Sequence, residues 1–328
     1  MSKHLVVYRK LSDDLLAALR QHFQVSYFDA LANAELPAFR EAAARAHGLL
    51  GASVKLDRAL LDSARELEII SSISVGYDNY DVPYLSSRGI LLTNTPDVLT
   101  ETTADTAFAL IMATARRVVE LAEYVKSGRW QRSIGPSLFG TDVHGKRLGI
   151  LGFGRIGAAV ARRGALGFGM SILYYNDVPR PDLEAALGAR FCSMDQVLAE
   201  ADFVCLNLPL TPQTEHLIGA REFGLMRPET IFINASRGKV VDEQALIAAL
   251  RAGQIRAAGL DVFEREPLPA DSPLPQMPNV VALPHIGSAT HETRQAMARC
   301  AVENMIEGLE RRRPPNLVDP RAWESRGQ

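Results

Sequence analysis

Short runs of aliphatic and β-branched residues alternate with helix-length amphipathic stretches along the whole chain. Such alternation is typical of βαβ units arranged around a parallel sheet. Ser12 is predicted to cap a helix that follows the first strand. The pattern predicts an α/β fold whose first unit ends near Pro96. The strands predicted in this unit lie at 5–8, 48–51, 69–74 and 90–93.

A second set of strands follows a long helical stretch, predicted from about 100 to 125, and a turn-rich segment. Six buried strands in succession suit a complete doubly wound parallel sheet. A last helix is predicted from about 289 to 309, and a length of 328 residues favours two compact units over one. The predicted strands of the second set lie at 148–151, 172–175, 203–208, 231–234, 257–262 and 280–283.

Composition narrows the possible function classes. Hydrophobic residues make up 47% and charged residues 23% of the chain, as in ordinary globular proteins. The formal net charge of -2 leaves no excess of positive charge for a phosphate backbone, so we expect no nucleic-acid partner. The chain shows no signal-peptide pattern and no apolar run long enough for a membrane span, so we expect a cytoplasmic protein without membrane association.

Metal binding is not expected either. Three cysteines occur without Cys-x-x-Cys spacing. Six of the seven histidines show no matched ligand spacing, and we interpret them as ordinary surface or capping residues. These six are His4, His22, His47, His144, His216 and His291.

Gly152, Gly154 and Gly157 form a Gly-x-Gly-x-x-Gly pattern directly after a predicted strand and before a helical run. In this setting the first glycine permits a tight turn, the second lets a pyrophosphate approach the backbone, and the third lets the helix pack on the strand. The pyrophosphate would lie on the N–H groups of the helix N-terminus, where Arg155 and Ile156 stand. The pattern predicts a dinucleotide site.

The strand that follows the glycine turn ends at Tyr175. An acidic residue there would select NAD by binding the ribose, whereas a cation would accept the 2′-phosphate of NADP. Asp177 would repel that phosphate if it pointed inward, while Asn176 would tolerate it and Arg180 could reach it. The residues therefore leave both cofactors open, with a slight preference for NADP(H) over NAD(H).

Three polar residues follow three strands of the second set: Arg237, Glu266 and His285. Because the carboxyl ends of parallel strands meet at one edge, we expect these residues to converge near the cofactor. Chemistry on a 2-keto acid needs a planar cation to clamp the acid and an imidazole to pass the proton of the C2 hydroxyl. Glu266, bonded to the far nitrogen of the His285 ring, would fix its tautomer and favour its charged form.

These motifs resemble signatures of the D-isomer-specific 2-hydroxyacid dehydrogenase family, and the resemblance extends over essentially the whole chain. It implies that Arg237 binds the substrate, that Glu266 is the partner of the histidine and that His285 is the acid/base. The matching segments lie at 151–157, 234–238, 259–263, 266–267 and 284–290.

The resemblance assigns further site residues. Asp261 resembles the residue that holds the nicotinamide carboxamide, and Thr103 the residue near the cofactor phosphates. The amides of Val75 and Gly76 resemble those that hold the substrate carboxylate. We also include in the expected cofactor site Pro209, Ala235 and Ser288.

The family's architecture implies two domains. A Rossmann-type cofactor domain is expected at 100–288. A smaller flavodoxin-like α/β substrate domain, discontinuous in sequence, is expected at 1–99 and 289–328, with the catalytic cleft between the two domains.

Within the family, the sequence is most similar to bacterial reductases of glyoxylate and hydroxypyruvate that also reduce 2-ketogluconate. The implied activity is reduction of these 2-keto acids to D-2-hydroxy acids with NAD(P)H. Those relatives prefer NADPH, but they tend to carry arginine where this chain has Asn176 and Asp177, so the cofactor choice stays open.

A homodimer is also implied, formed through helices around the first domain crossing. The predicted helix at 104–125 and the arm bearing Trp130 suit this interface, while core packing within one chain is the alternative for the helix. Trp130 would either form a wall of the neighbour's active site or anchor the arm.

Two other functions remain as alternatives. One is a dehydrogenase of the same fold that acts on formate or phosphite, which would differ in the loop around Val75 and Gly76. The other is a dinucleotide-sensing binding protein of the corepressor type, a class that can retain the catalytic residues. The lack of an extended disordered tail argues against this second alternative.

Overall fold

A computed structural model describes residues 2–29, 31, 36–52 and 54–324. The chain forms two compact units, one from Met1–Leu99 with Ala289–Gln328 and the other from Thr100–Ser288. Each unit contains one parallel β-sheet with helices packed against it. The predicted α/β class, with two parallel sheets, is confirmed.

Strands and helices alternate through most of the chain. The strands are β1 (His4–Val7), β2 (Gln24–Tyr27), β3 (Gly48–Gly51), β4 (Ile69–Ser72), β5 (Leu91–Thr93), β6 (Arg147–Leu151), β7 (Ser171–Tyr175), β8 (Arg190–Phe191), β9 (Phe203–Leu206), β10 (Ile231–Asn234), β11 (Ala257–Leu260) and β12 (Val280–Ala282). The α-helices are α1 (Asp13–His22), α2 (Leu36–Ala44), α3 (Arg58–Ser63), α4 (Val82–Ser87), α5 (Thr100–Ala115), α6 (Val118–Lys126), α7 (Arg155–Arg162), α8 (Pro181–Leu187), α9 (Met194–Glu200), α10 (Ala220–Leu225), α11 (Glu243–Arg251), α12 (His291–Leu309) and α13 (Arg321–Glu324).

The discontinuous unit has a five-stranded sheet in the order β2-β1-β3-β4-β5. Its central strands β3 and β4 are fully buried, as expected in a sheet covered on both faces, and the buried Ser71 hydroxyl of β4 donates to the Ala301 carbonyl oxygen at 2.8 Å. Helix α12 packs on these strands, and Gly48 makes room for it, because a Cβ at Gly48 would lie 2.6 Å from the sulfur of Met305. The C-terminal part of the chain thus completes the core of the N-terminal sheet.

The predicted N-cap position of Ser12 is confirmed, but the single helix predicted at 100–125 is wrong. Ser12 occupies the N-cap position of α1, but its side chain makes no capping bond; its hydroxyl accepts a hydrogen bond from Gln295 at 3.1 Å. The helix predicted at 100–125 is two helices, α5 and α6, separated at Arg117. Arg117 has a φ of 54°, and a residue in this left-handed region interrupts a right-handed helix.

The unit at 100–288 has a seven-stranded sheet in the order β12-β11-β10-β9-β6-β7-β8. The chain starts in β6, moves outward through β7 and β8, then returns to β9 and moves outward in the other direction, which is a doubly wound topology. The six predicted strands are present, and the short edge strand β8 was not predicted. The order of strands reverses between β6 and β9, where such sheets bind ligands beyond the strand ends.

Helices α5 and α6 differ in burial. The residues Ala104, Ala107, Leu110 and Ile111 of α5 are fully buried, and α5 packs on β10 and β11. Helix α6 has no buried residue. Core packing within the unit therefore accounts for α5 but not for α6.

None of the helices in the described parts of the chain combines the length and apolar character that a bilayer span needs.

Candidate active site

The glycine turn lies between β6 and α7, as the sequence pattern predicts. Gly152 has a φ of 94°, and a Cβ there would lie 2.7 Å from the carbonyl oxygen of Asn207. At Gly157 a Cβ would lie 2.2 Å from the carbonyl oxygen of Gly152. At Gly154, by contrast, a Cβ would meet no atom of the described residues within 4 Å. The first and third glycines are therefore required by the turn itself, whereas the second leaves open space above it.

That open space fits a pyrophosphate. Gly154 is the N-cap residue of α7 and has no side chain to satisfy the first N–H groups of the helix. These N–H groups, beginning at Arg155 and Ile156, together with the helix dipole, favour an anion at this end. A dinucleotide would bind here through its phosphates.

The loop after β7 is tied to the glycine turn. Asn176 Oδ1 accepts a hydrogen bond from the Phe153 N–H at 3.1 Å, and Arg180 Nη1 donates to the Phe153 carbonyl oxygen at 3.3 Å. Arg180 also forms an ion pair with Asp182 at 2.9 Å. The structure thus brings Asn176 and Arg180 to the turn, while Asp177 lies exposed in the same loop.

Glu266 and His285 meet beyond the ends of neighbouring strands. Strands β10, β11 and β12 are adjacent and parallel, so the loops bearing Arg237, Glu266 and His285 leave the same edge of the sheet. Nδ1 of His285 lies 2.6 Å from Oε2 of Glu266. The Phe263 N–H donates to Oε1 of Glu266 at 3.0 Å. One carboxylate therefore orients the imidazole while the backbone orients the carboxylate.

The Glu266 carboxyl group is held in its charged form. Burial acts to raise its pKa, but the hydrogen bonds from His285 and the Phe263 N–H, with the positive charge of Arg237, bring the net pKa of Glu266 below its usual value. A carboxylate bound to one nitrogen of an imidazole fixes which nitrogen is left to carry the other proton. With Nδ1 occupied by Glu266, Nε2 is the nitrogen left for a ligand.

His285 has a strained backbone. Its φ is 54°, a region that costs about 1–2 kcal/mol for a residue with a side chain. Such strain is found most often at functional sites, where the surrounding structure enforces it. The His285 side chain is 49% exposed, so its ring is open to a small molecule.

Asp261 holds the loop that carries His285. It is 1% exposed, and its two oxygens accept the N–H groups of Ile286 at 2.7 Å and Gly287 at 2.8 Å. Burial raises the pKa of Asp261, and the two amide bonds offset part of that rise. A Cβ at Gly287 would lie 3.4 Å from the Thr103 methyl group, so Thr103 belongs to the same buried cluster.

The other predicted site residues lie near strand ends. In the discontinuous unit, Val75 and Gly76 follow β4 in the same loop, and the Val75 carbonyl accepts a hydrogen bond from Asn94 at 2.8 Å. In the other unit, Pro209 follows β9, and Ala235 is the buried residue after β10. Ser288 is its last residue.

A second histidine–glutamate contact was not predicted. His216 Nε2 lies 2.7 Å from Glu264 Oε1, and Glu243 accepts a hydrogen bond from the Glu264 N–H at 3.1 Å. His216 is a surface residue, as expected, but its partner lies 48 positions away. No spacing rule predicts such a contact, since it depends on two loops meeting in space.

Among the residues that the structure describes, no three His, Cys, Asp or Glu side chains are grouped as metal ligands would be.

Comparison with known proteins gives consistent matches. Residues 108–287 match the family described as "D-isomer specific 2-hydroxyacid dehydrogenase, NAD binding domain". The chain is 57% identical over 320 residues to glyoxylate/hydroxypyruvate reductase B of Escherichia fergusonii, covering 98% of this chain and 99% of that protein. It is 56% identical over 320 residues to the protein of the same name from Klebsiella pneumoniae, with the same coverage of both chains.

Solved structures agree with these matches. The crystal structure of TT0316 protein from Thermus thermophilus matches with a TM-score of 0.88 at 42% identity, covering 96% of this chain and 100% of the other. An NADPH-dependent glyoxylate/hydroxypyruvate reductase from Sinorhizobium meliloti, in complex with NADP and malonate, matches with a TM-score of 0.86 at 34% identity, covering 97% of each chain. The family resemblance found in the motifs is thereby confirmed, and this chain belongs to the D-isomer-specific 2-hydroxyacid dehydrogenase family.

Proposed function

We propose that this chain reduces small 2-keto acids, such as glyoxylate, hydroxypyruvate and 2-ketogluconate, to D-2-hydroxy acids with NAD(P)H. The observation that carries the proposal is the 2.6 Å contact between His285 and Glu266, formed beyond the strand ends of the unit that contains the open glycine turn. The similarity to proteins named glyoxylate/hydroxypyruvate reductase supports the substrate class.

Each of the three residues has one role in the reaction. Arg237 binds the carboxylate and the carbonyl oxygen of the keto acid through its planar guanidinium group. His285 donates the proton on Nε2 to the oxygen at C2, since its Nδ1 is held by Glu266. Glu266 keeps the ring oriented and leaves Nε2 as the nitrogen that transfers the proton. A bound reduced nicotinamide supplies the hydride for C2.

The two units have separate roles in this proposal. The unit at 100–288 binds the dinucleotide through the turn of Gly152, Gly154 and Gly157. The discontinuous unit holds the substrate carboxylate with the amides of Val75 and Gly76. The other residues proposed for the cofactor site are Thr103, Arg155, Ile156, Asn176, Asp177, Arg180, Pro209, Ala235, Asp261 and Ser288.

Initial rates with each keto acid, measured with NADPH and with NADH, test this function. We expect oxidation of the reduced cofactor that depends on glyoxylate and hydroxypyruvate. Formate and phosphite with the oxidised cofactors serve as controls, and turnover of either would favour the dehydrogenases of those acids. Capture of a protein partner that depends on dinucleotide, without turnover of any acid, would favour the corepressor-like alternative.

We propose further that NADP(H) is preferred over NAD(H). The Arg180 guanidinium donates to the glycine turn, where it can reach a 2′-phosphate, and Asn176 in the same loop carries no charge to repel one. The ion pair with Asp182 and the nearby Asp177 work against this preference. Similarity to a reductase solved with NADP supports the preference.

Replacement of Arg180 tests the cofactor preference. In Arg180→Ser we expect kcat/KM with NADPH to fall about tenfold or more, as for one lost charge-assisted contact, while kcat/KM with NADH changes little. Arg190→Ser is the matched control, because Arg190 on β8 is an exposed arginine paired with Glu200. Equal losses with both cofactors would contradict a role for Arg180 in selecting NADP(H).

We also propose a homodimer formed through α6 and the segment after it. Helix α6 has no buried residue, and exposed apolar patches of this kind mark interaction surfaces. Light scattering should give twice the mass of the chain, and Val119→Asp with Trp130→Ser should lower that value; a monomeric wild type would contradict the proposal. The exposed apolar side chains are Val118, Val119, Val125, Trp130, Ile134 and Phe139.

A cytoplasmic location is proposed as well. The three cysteines, Cys192, Cys205 and Cys300, are free, as is usual in a reducing compartment. Cell fractionation should recover the protein with cytoplasmic markers, and recovery in another fraction would contradict the proposal.

A further inference from the structure

The peptide unit that joins Phe263 to Glu264 is held at both of its polar ends. Its N–H, on Glu264, donates to Oε2 of Glu243 at 3.1 Å. Its carbonyl oxygen, on Phe263, packs so closely on Gly238 that a Cβ at Gly238 would lie 1.8 Å from it. The close packing on Gly238 and the hydrogen bond to Glu243 therefore both limit the orientation of this planar peptide.

The held peptide lies next to the group that orients Glu266. The Phe263 N–H donates to Oε1 of Glu266 at 3.0 Å, and Oε2 of the same carboxylate contacts Nδ1 of His285 at 2.6 Å. The Phe263 N–H belongs to the preceding peptide, and the two peptides share the Cα of Phe263. The peptide after Phe263 is also the first of the loop that leads to Glu266, so a shift of this peptide would displace that Cα and the start of the loop. The position of Glu266, and through it that of His285, therefore depends on the peptide that Glu243 holds.

The carboxylate of Glu243 is not needed to cap its own helix. Glu243 is the first residue of α11, and the N-cap residue Asp242 already accepts the N–H of Ala245 at 3.0 Å. Burial, followed by the nearby Glu264 carboxylate, raises the pKa of Glu243. A half-buried carboxylate is thus kept beside another carboxylate, and its hydrogen bond to the Glu264 N–H is the interaction that offsets this cost.

A separate residue, His216, contacts the side chain of Glu264. Its Nε2 lies 2.7 Å from Oε1 of Glu264, so the side chain of Glu264 is directed to His216 while its backbone N–H is directed to Glu243. The Glu264 side chain and backbone are consequently held by two different residues, His216 in a turn and Glu243 at the start of α11.

We propose that Glu243 is a positioning residue for the Glu266–His285 pair, acting through the peptide between Phe263 and Glu264. The proposal rests on the proposed function, since it concerns the same acid/base pair. It assigns to Glu243 no contact with substrate or cofactor.

Different charged groups surround the carboxylates of Glu266 and Glu243. Glu266 is influenced by His285, Arg237 and Asp261. Glu243 is influenced by Glu264, which is paired with His216. A change in the pH dependence of catalysis on altering Glu243 must therefore pass through the loop at 263–266.

The test compares three substitutions of Glu243 by the pH profile of kcat/KM for glyoxylate with NADPH. In Glu243→Ala we expect kcat/KM to fall about tenfold or more, because even a small displacement of catalytic groups lowers the rate. The midpoint of the basic limb should move to lower pH by roughly 0.3 to 1 unit, because Glu266 is held less firmly. Glu243→Gln retains an oxygen that accepts the Glu264 N–H, so it should keep the wild-type profile.

Controls separate positioning from stability. Asp195 is an acidic residue in the first turn of α9 and pairs with Arg221. Asp195→Ala should therefore leave the pH profile of kcat/KM unchanged. If Glu243→Ala does not fold, Glu243→Asp provides the same test, since its shorter side chain keeps the charge but withdraws the oxygen. If the wild-type protein reduces glyoxylate but the basic limb of Glu243→Ala or Glu243→Asp stays where it is in the wild type, the proposal is overturned. A wild type without glyoxylate turnover would instead overturn the proposed function.

Discussion

Two histidine–glutamate pairs lie in the same unit and are nearly identical when considered alone. His285 lies 2.6 Å from Glu266, and His216 lies 2.7 Å from Glu264. Both histidines have left-handed backbones, with φ values of 54° and 52°. Their side chains are 49% and 47% exposed. Distance, strain and exposure therefore do not identify which pair carries out chemistry.

The surroundings of the two pairs differ. The second oxygen of the Glu266 carboxylate accepts a hydrogen bond from the Phe263 N–H, and the positive charge of Arg237 helps to lower the pKa of Glu266. Next to this pair, the buried Asp261 holds the loop that carries His285. The pair of His216 joins two loops instead, and its glutamate is held through the backbone by Glu243. The comparison teaches that a candidate acid is recognised by the set of groups converging on it.

Apart from replacement of His285 itself, a large loss of activity is expected at Arg237. Arg237→Met should lower kcat/KM for glyoxylate by about 10²- to 10³-fold or more, the range for losing one electrostatic contact to the reacting oxygen. Lys239→Met, an exposed cation two positions away, should change kcat/KM little. Steady-state rates of both variants would show whether any nearby positive charge suffices, and equal losses would contradict the assignment of Arg237.

Replacement of Glu266 should have a smaller effect on rate and a clear effect on pH dependence. Glu266→Gln replaces the charged acceptor beside the imidazole with a neutral one, so the basic limb of kcat/KM for reduction should move to lower pH by about one unit. Glu264→Gln should leave that limb in place. The pH profiles of the two variants give the check, and a shift in Glu264→Gln equal to that in Glu266→Gln would break the distinction between the pairs.

Stability should follow the lowered pKa of Glu266. A carboxyl group whose pKa is lower in the folded chain stabilises it above the unfolded value of about 4.3, and this contribution is lost as the pH falls through the folded value. The difference in Tm between wild type and Glu266→Gln should therefore shrink as the pH falls below about 4. Thermal unfolding of both proteins at several pH values measures this difference in Tm. A difference that grows as the pH falls would contradict the lowered pKa of Glu266.

The smallest effect is expected at His216. Its contact with Glu264 is partly exposed, and exposed polar pairs contribute about 0–1 kcal/mol. His216→Gln should keep kcat/KM for glyoxylate within about threefold of wild type and lower stability by no more than about 1 kcal/mol. A loss of turnover as large as that in Arg237→Met would show that this pair also takes part in catalysis.

The sequence could predict the elements whose signals are local. The six strands predicted at 148–283 are apolar runs in a largely buried sheet. The glycine pattern predicted the turn, because Gly152 and Gly157 are sterically required there. The meeting of Glu266 and His285 also followed from parallel strand order, since adjacent strands end at one edge.

Features that depend on contacts distant in sequence were not predictable. Strand β2 is an edge strand whose residues are exposed or half-buried, so it lacks the apolar signal of a strand. The break at Arg117 has no glycine or proline to mark it. The Ser12 hydroxyl accepts a hydrogen bond from Gln295, and Glu243 holds the backbone of Glu264, which lies 21 positions away.

The most direct test of the central claim is the rate of hydride transfer in His285→Gln and His216→Gln, measured in a single turnover with bound NADPH and saturating glyoxylate. Loss of a proton donor typically costs about 10²- to 10⁴-fold, so His285→Gln should bind NADPH normally and transfer hydride more slowly by that factor. His216→Gln should match the wild type. Equal single-turnover rates for His285→Gln and the wild type would contradict the assignment of His285 as the acid.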